Sequence, residues 1–399
     1  MVYSPQMANP LHDKAETREV SGWVAFALYL LLLLGLSVHI YRTPLYDMDS
    51  VQYLGNAVLM EETDPVRVHE KVYSDLRHTL PKAAMERITG DAPGEPEDQS
   101  QSRHIRAVDP YRFAEFLPLF AIRPLYNQAI YLVSKTGIGL YRSANVISAV
   151  SYLSIGVLLF VWIGANVAPA FRFLISFLTM LTPPLVELGR HTTSDPMASL
   201  VALLGLYLVF GKGEYENREN NGKKGWRLTA GLTLLLASIY FRTDFVALVA
   251  PVLLVLWRQR KISFWQAGVL GGVAVASVLA INHFAGDYGI KMLYFRNFVG
   301  VPVAPGEIAP QFTGHDYIAA FIAGVRLTLD SFFLPFALLG AIGLGSRSGR
   351  ILFGITLAYV ALHFVILPNW QERWVAVFYI AAAVSAATLA QQPRMESAA

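Results

Sequence analysis

Two aspartates one residue apart, in Tyr46-Asp47-Met48-Asp49-Ser50-Val51-Gln52-Tyr53, stand between a long apolar run and an amphipathic segment. A carboxylate at such a boundary can act as a general base, taking the proton of an attacking hydroxyl. An aspartate normally titrates near about 3.9, and a like charge two residues away together with a dehydrated setting would oppose ionisation and raise its basicity. Val51, Leu54 and Val58 recur at i, i+3 and i+7, which predicts a helix with one apolar face starting at the pair. Asp49 directly precedes that helix and is the expected base. Asp47 would tune it, orient an acceptor, or share a divalent metal with it. The competing role for Asp49 is the helix N-cap, its carboxylate accepting from first-turn N–H groups.

Other charged residues gather at predicted turns. Arg242-Thr243-Asp244 lies between two short apolar segments, where an ionisable group at membrane depth costs about 2.5–3.5 kcal/mol unless it is paired or faces water. Either Arg242 and Asp244 neutralise each other with Thr243 as a cap, or Arg242 faces a cavity and binds an anionic group such as a phosphate by its planar fork. In the turn from Pro183 to Pro196, Asp195-Pro196 reads as a structural helix start. Glu187, Arg190 and His191 are left there as candidates for chemistry. No second His stands at ligand spacing, so zinc is not expected. The turn Pro368-Asn369-Trp370-Gln371-Glu372-Arg373-Trp374 offers an aromatic belt and an arginine that can snorkel to headgroups, pair with Glu372, or pair with a first-loop carboxylate. Lys291, Arg296, His315 and Asp316 are weaker candidates. GxSxG, HExxH, Walker and dinucleotide fingerprints are absent, so soluble cofactor chemistry has no support.

The elements that must position these residues are apolar helices. With 15% charged residues where a soluble chain has about a quarter, and a mean hydropathy of +0.42, the 399 residues form an all-α integral membrane protein. A net charge of +3 is too small to argue for nucleic-acid binding, and zero cysteines exclude disulfides and thiolate metal sites. Residues 1–21 are polar and unlike a secretory leader. Gly22 to Ile40 holds no Asp, Glu, Lys or Arg and gives about 28 Å of helix, close to the roughly 30 Å bilayer core. Further spans are expected at about 143–165, 171–186, 196–210, 228–240, 245–257, 264–284, 331–344, 351–367 and 375–389, ten in all.

The loop 41–142 should carry its own helices. One is expected within 62–88, broken at Pro81, and an amphipathic one over Ile122 to Val133, while Thr89 to Pro110 reads as irregular and mobile. Lys and Arg concentrate in the loops at 211–227, 258–261 and 346–350, which places those loops and both termini in the cytoplasm. The loop 41–142 then lies outside, within a membrane domain spanning 22–390, followed by a tail at 391–399. Asp47, Asp49, Arg190, Arg242 and Arg373 are expected to line one outward-facing cavity.

The span, the outer loop opening with acidic residues and a spaced tyrosine, the amphipathic helix of the Arg123-Pro124-Leu125-Tyr126 type and the many following spans resemble the GT-C superfamily of membrane glycosyltransferases, which includes the protein O-mannosyltransferases and the lipid A aminoarabinose transferase. Asp49-Ser50-Val51-Gln52-Tyr53 is similar to their Asp-Glu-x-x-Tyr pattern, with Ser50 where many members have Glu. Ser194-Asp195-Pro196, Phe241-Arg242-Thr243-Asp244 and Glu372-Arg373 also look like GT-C features. The resemblance implies a polyprenyl-phosphate sugar donor, a membrane lipid, glycan or protein acceptor on the extracytoplasmic face of a membrane such as the bacterial inner membrane, and inversion at the anomeric carbon. Asp49 and Asp47 would then be catalytic, with Arg242, Arg373 and Arg190 toward the donor phosphate. Tyr53, His191, Asp244 and Glu372 would serve the acceptor or support the site. A secondary transporter, expected to show broken helices and ionisable residues at mid-membrane, and a non-catalytic lipid-binding protein are the rival classes.

Overall fold

The computed structural model describes residues 10–94, 97–164, 167–211, 221–287 and 313–390, and these are helical, with one isolated parallel bridge between Leu45 and His191. Among the described residues, five helices are long and apolar enough to cross a membrane: Ser21–Arg42 within α1 (Pro10–Arg42), α9 (Leu140–Ile163), α15 (Phe264–Phe284), α18 (Arg347–Ile366), and Glu372–Leu389, a 3-10 turn continued by α19 (Ala376–Leu389). Two bent pairs raise the number to as many as seven: α10 (Pro169–Met180) with α11 (Pro183–Arg190) at 61°, and α16 (Gly314–Leu329) with α17 (Phe333–Ile342) at 65°. The chain is thus a multi-pass membrane protein.

The expectation of ten spans outruns this. α12 (Asp195–Phe210) has 16 residues and α14 (Val246–Arg258) has 13, short of the roughly 20 needed to cross unaided. α13 (Asn221–Phe241) opens with Lys223, Lys224 and Arg227, which lower its apolar character. α12 and α13 lie closely side by side because Gly205 and Gly231 face each other's backbone: a Cβ on Gly231 would stand 2.9 Å from the Gly205 carbonyl.

Two helices form the interior. α9 packs against α1, α10, α11 and α12, and α19 against α10, α17 and α18. Tyr29 of α1 stacks on Phe160 of α9 at 4.9 Å and donates to the Gly156 carbonyl at 2.8 Å, so even the peripheral first helix is specifically seated. α15 is the opposite case. It turns Trp265, Val269, Leu279 and other apolar residues outward, the composition of a lipid-facing surface.

Between α1 and α9 the loop folds into a helical cap: α2 (Met48–Val58), α3 (Pro65–Thr79), α4 (Lys82–Thr89), α5 (Glu97–Val108), α6 (Pro110–Phe116), α7 (Pro118–Ala121) and α8 (Pro124–Ser134). The expected break at Pro81 and the amphipathic helix after Ile122 are both present. The stretch expected to be irregular instead holds α5. Few apolar side chains anchor it, but Arg106 lies 4.6 Å over the Phe116 ring and its carbonyl meets His69 Nε2 at 3.2 Å. Asp75 ties the cap to the spans by accepting from the backbone N–H groups of Leu140 and Tyr141, at 3.0 and 2.9 Å, where α9 begins.

Candidate functional site

α2 begins with Asp47 in an extended conformation, and its carboxylate accepts from the Asp49 N–H at 3.0 Å. The N-cap is therefore Asp47, not Asp49 as the alternative reading had it. Asp49 stands in the first turn of α2, with its carboxylate on the Arg373 side. The chain entering α2 is fastened to the segment after α11. Leu45 N–H donates to the Arg190 carbonyl at 2.9 Å, Arg190 Nε to the Thr43 carbonyl at 2.6 Å, and Ser50 Oγ to the Thr192 carbonyl at 3.1 Å. This zipper sets His191 Nδ1 3.5 Å from Asp47 Oδ2.

Arg373 reaches the same place from the turn before α19. Its Nη1 lies 3.0 Å from Asp47 Oδ2 and 3.1 Å from His191 Nδ1, its Nη2 3.7 Å from Asp49 Oδ2, and its Nε 3.5 Å from Asp195 Oδ2 and 2.9 Å from Gln371 Oε1. Of the partners open to it from sequence, Arg373 takes the first-loop carboxylates. Glu372 turns away and accepts from the Phe332 N–H at 2.5 Å, bracing the bend between α16 and α17.

Asp195 continues the network. It is the first residue of α12, behind Ser194 as N-cap, and its carboxylate is not spent on capping. Oδ2 accepts from Thr193 Oγ1 at 2.7 Å and faces Arg373, while Oδ1 accepts from Arg242 Nη1. Arg242 in turn grips Asp244 with both prongs, Nε to Oδ1 at 2.9 Å and Nη2 to Oδ2 at 2.6 Å. The Trp374 ring centre lies 5.5 Å from its guanidinium carbon. His363, near the end of α18, completes the row with Nε2 2.9 Å from Asp244 Oδ2.

The arrangement bears differently on two of the arginines expected near a phosphate. Arg242 has its fork filled by Asp244 and its remaining nitrogen taken by Asp195, so it offers no edge to a phosphate. Arg190 holds the Thr43 carbonyl and has no carboxylate within ion-pair reach among the described residues. Asp47, Asp49 and Arg373 do come together, with His191. Lys291 and Arg296 lie outside the described residues, and Asp316 closes a capping box with Thr313 at the start of α16.

Tyr53 stands behind Asp49. It is buried beneath Arg123 at 5.6 Å, edge-on to Phe120 and Tyr126, with its hydroxyl 3.5 Å from Ser194 Oγ. Burial pushes its phenol up to about 12, so it remains a protonated donor at neutral pH. Burial also works to raise Asp47, but the His191 hydrogen bond, the Arg373 charge and the Asp49 N–H outweigh it and hold the carboxyl below the usual range.

Four carboxylates, Asp47, Asp49, Asp195 and Asp244, face two guanidiniums here, a formal excess of two negative charges. His191 Nδ1 can donate to Asp47 or accept from Arg373, not both at once, so its proton follows what Arg373 is doing. Among the described residues no three His, Asp or Glu side chains converge as a cation site, and Arg373 stands between the two carboxylates a divalent ion would bridge. The residues present do not fit a metal. Sequence reasoning treated Asp195 as structural and passed over His363, although an ionisable residue inside an apolar span is itself a signal. No family model, curated protein or solved structure matches the chain.

Proposed function

We propose that this chain is an integral-membrane glycosyltransferase, moving a sugar from a polyprenyl-phosphate donor to an acceptor hydroxyl with inversion, on the extracytoplasmic face. Asp49 takes the acceptor's proton as its oxygen attacks the anomeric carbon, while the bond from that carbon to the phosphate oxygen breaks and polyprenyl phosphate leaves. The observation that carries this reading is the 3.7 Å approach of Arg373 Nη2 to Asp49 Oδ2. A donor phosphate engaged by Arg373 in place of one of its carboxylates would lie within reach of that base. Tyr53 supports Asp49 from behind, and Asp47 holds both the start of α2 and Arg373. Ten traverses, with α12 and α14 as short members among longer neighbours, would put this end of the bundle outside and both termini in the cytoplasm.

The test is purified protein with a radiolabelled polyprenyl-phosphate sugar, read as sugar-dependent release of lipid phosphate. Asp49→Asn should bind donor and keep its melting temperature yet lose about 10²- to 10⁴-fold in turnover. Near-normal turnover in that variant would end the assignment.

One set of features favours a second reading. Two helix pairs bent by 61° and 65°, with Arg242 and His363 buried and Asp244 half-buried between apolar helices, are features that carriers also use. Uptake of a labelled solute into liposomes without release of lipid phosphate would establish a carrier.

A further inference from the structure

Two acidic side chains beside the charged network take no part in it. Glu187 is exposed on α11, while Leu185, Leu188 and Gly189 of the same helix are buried. Glu372 stands in the 3-10 turn before α19, and that turn packs on α11. Arg373, its neighbour in sequence, turns to Asp47, Asp49 and Asp195 instead. Neither glutamate has an ion-pair partner among the described residues, and the charged group that acts on Glu372 is Glu187, like it in sign. Glu372 commits Oε1 to the Phe332 N–H. Two carboxylates drawn together beside apolar helices without a cation repel each other and call for a counter-charge.

A third group is directed to the same place. Tyr379 follows Glu372 by seven residues, two turns along on one face, and side chains on a helix lean toward its N-terminus, so the ring points back toward Glu372. It packs against Phe336 at 4.6 Å and is fully buried, yet its hydroxyl has no hydrogen-bond partner. Glu372 is the charge that acts on that hydroxyl. Two carboxylates and a phenolic oxygen are thus three acceptors around one point. A primary ammonium carries the matching three N–H donors and the missing positive charge.

The bend between α16 and α17 gives the body of the ligand. Phe332 is exposed there, and Leu334, Leu338 and Ile342 form an exposed stripe at i, i+4 and i+8 along α17, a lipid-facing surface leading away from Glu372. Phe333 turns inward, edge-on to Trp370 at 5.4 Å, and the Trp370 indole N–H is a buried donor without an acceptor. We infer that this bend binds the headgroup of an ethanolamine phospholipid, with the ammonium among Glu187, Glu372 and Tyr379, a phosphate oxygen toward the Trp370 N–H, and an acyl chain along the α17 stripe. A choline headgroup has no N–H to donate, and a glycerol headgroup brings no positive charge to the two carboxylates. The site uses neither Asp49 nor Arg373, so it stands whether or not the proposed transferase chemistry does.

The full chain in nanodiscs of equal parts phosphatidylethanolamine, phosphatidylcholine and phosphatidylglycerol, released into native mass spectrometry, reads retained lipid directly. Phosphatidylethanolamine adducts should dominate. Glu372→Gln, whose amide oxygen still accepts from the Phe332 N–H, should lower their retention about ten-fold, and Glu187→Gln, at the exposed edge, about three-fold. Tyr379→Phe removes an unmatched hydroxyl, so its melting temperature in detergent should hold or rise, while retention should still fall about five-fold. Soluble O-phosphoethanolamine, which lacks the acyl chains, should not displace the lipid. Equal retention of phosphatidylcholine, retention unchanged in both Glu372→Gln and Tyr379→Phe, or displacement by O-phosphoethanolamine would each overturn the assignment.

Discussion

Arg242 and Arg373 share Asp195 and differ in nearly everything else. Arg242 is bidentate to Asp244, bonded to Asp195, covered by Trp374, and its side chain is 5% exposed. Arg373 spreads contacts of 3.0 to 3.7 Å over Asp47, Asp195 and Asp49 with no bidentate grip, and it stands nearer to solvent. A guanidinium whose every edge is matched is part of the scaffold, because removing any partner strands a buried charge. One whose contacts are long and divided can exchange a carboxylate for a ligand at small cost. The sequence presented both as arginines at turns beside apolar helices, and only their partners separate a clamp from a binding group.

The contrast can be broken most decisively at the clamp. Arg242→Ala leaves Asp244 without its arginine and Asp195 with Arg373 alone, and should cost about 3–5 kcal/mol, read as a large fall in melting temperature in detergent. A melting temperature close to wild type would place Arg242 in the same class as Arg373. At the open end, Arg373→Gln should lower stability by less than half as much, since Asp47 keeps its bond to the Asp49 N–H and Asp195 keeps Arg242. Donor-dependent turnover should nevertheless collapse in that variant, and a stability loss matching Arg242→Ala without a loss of turnover would reverse the two roles.

The smallest expected effect belongs to Asp47. Its folded-state pKa lies below the unfolded value of about 3.9, so its contribution is present above that value and is lost as pH falls through the folded pKa. Asp47→Asn keeps an N-cap side chain, so it should cost about 1 kcal/mol or less at pH 7. It should also flatten the acid limb of a melting-temperature profile below about pH 4. An unchanged acid limb would mean that the Arg373 contact adds nothing to folding.

Much of this contrast was legible in advance, and the remainder had physical reasons to be hidden. Asp47 and Asp49 at the foot of the first apolar helix follow from local pattern, as do α8, α9 and the helix break at Pro81. The choice between Arg242 paired and Arg242 open could not be made locally, because it turns on Asp195, 47 residues away. Asp195-Pro196 carries so strong a helix-start pattern that the carboxylate's tertiary use was masked, and Ser194 takes the cap position instead. α5 was missed because its sequence is polar up to Ile105, and its anchor, Arg106 over Phe116, is a contact that periodicity cannot display. The ten expected spans counted apolar stretches alone, whereas length and composition among the described residues give five, or up to seven with each bent pair taken as one span.

The bond between Asp47 and Arg373 joins residues 326 positions apart. During synthesis the first aspartate is therefore made, and α1 placed, long before its partner leaves the ribosome, and the intervening helices must dock in turn before the two can meet. Until the final helix arrives, Asp47 and Asp49 lack their principal counter-charge. The charged site thus assembles only once α19 is in place.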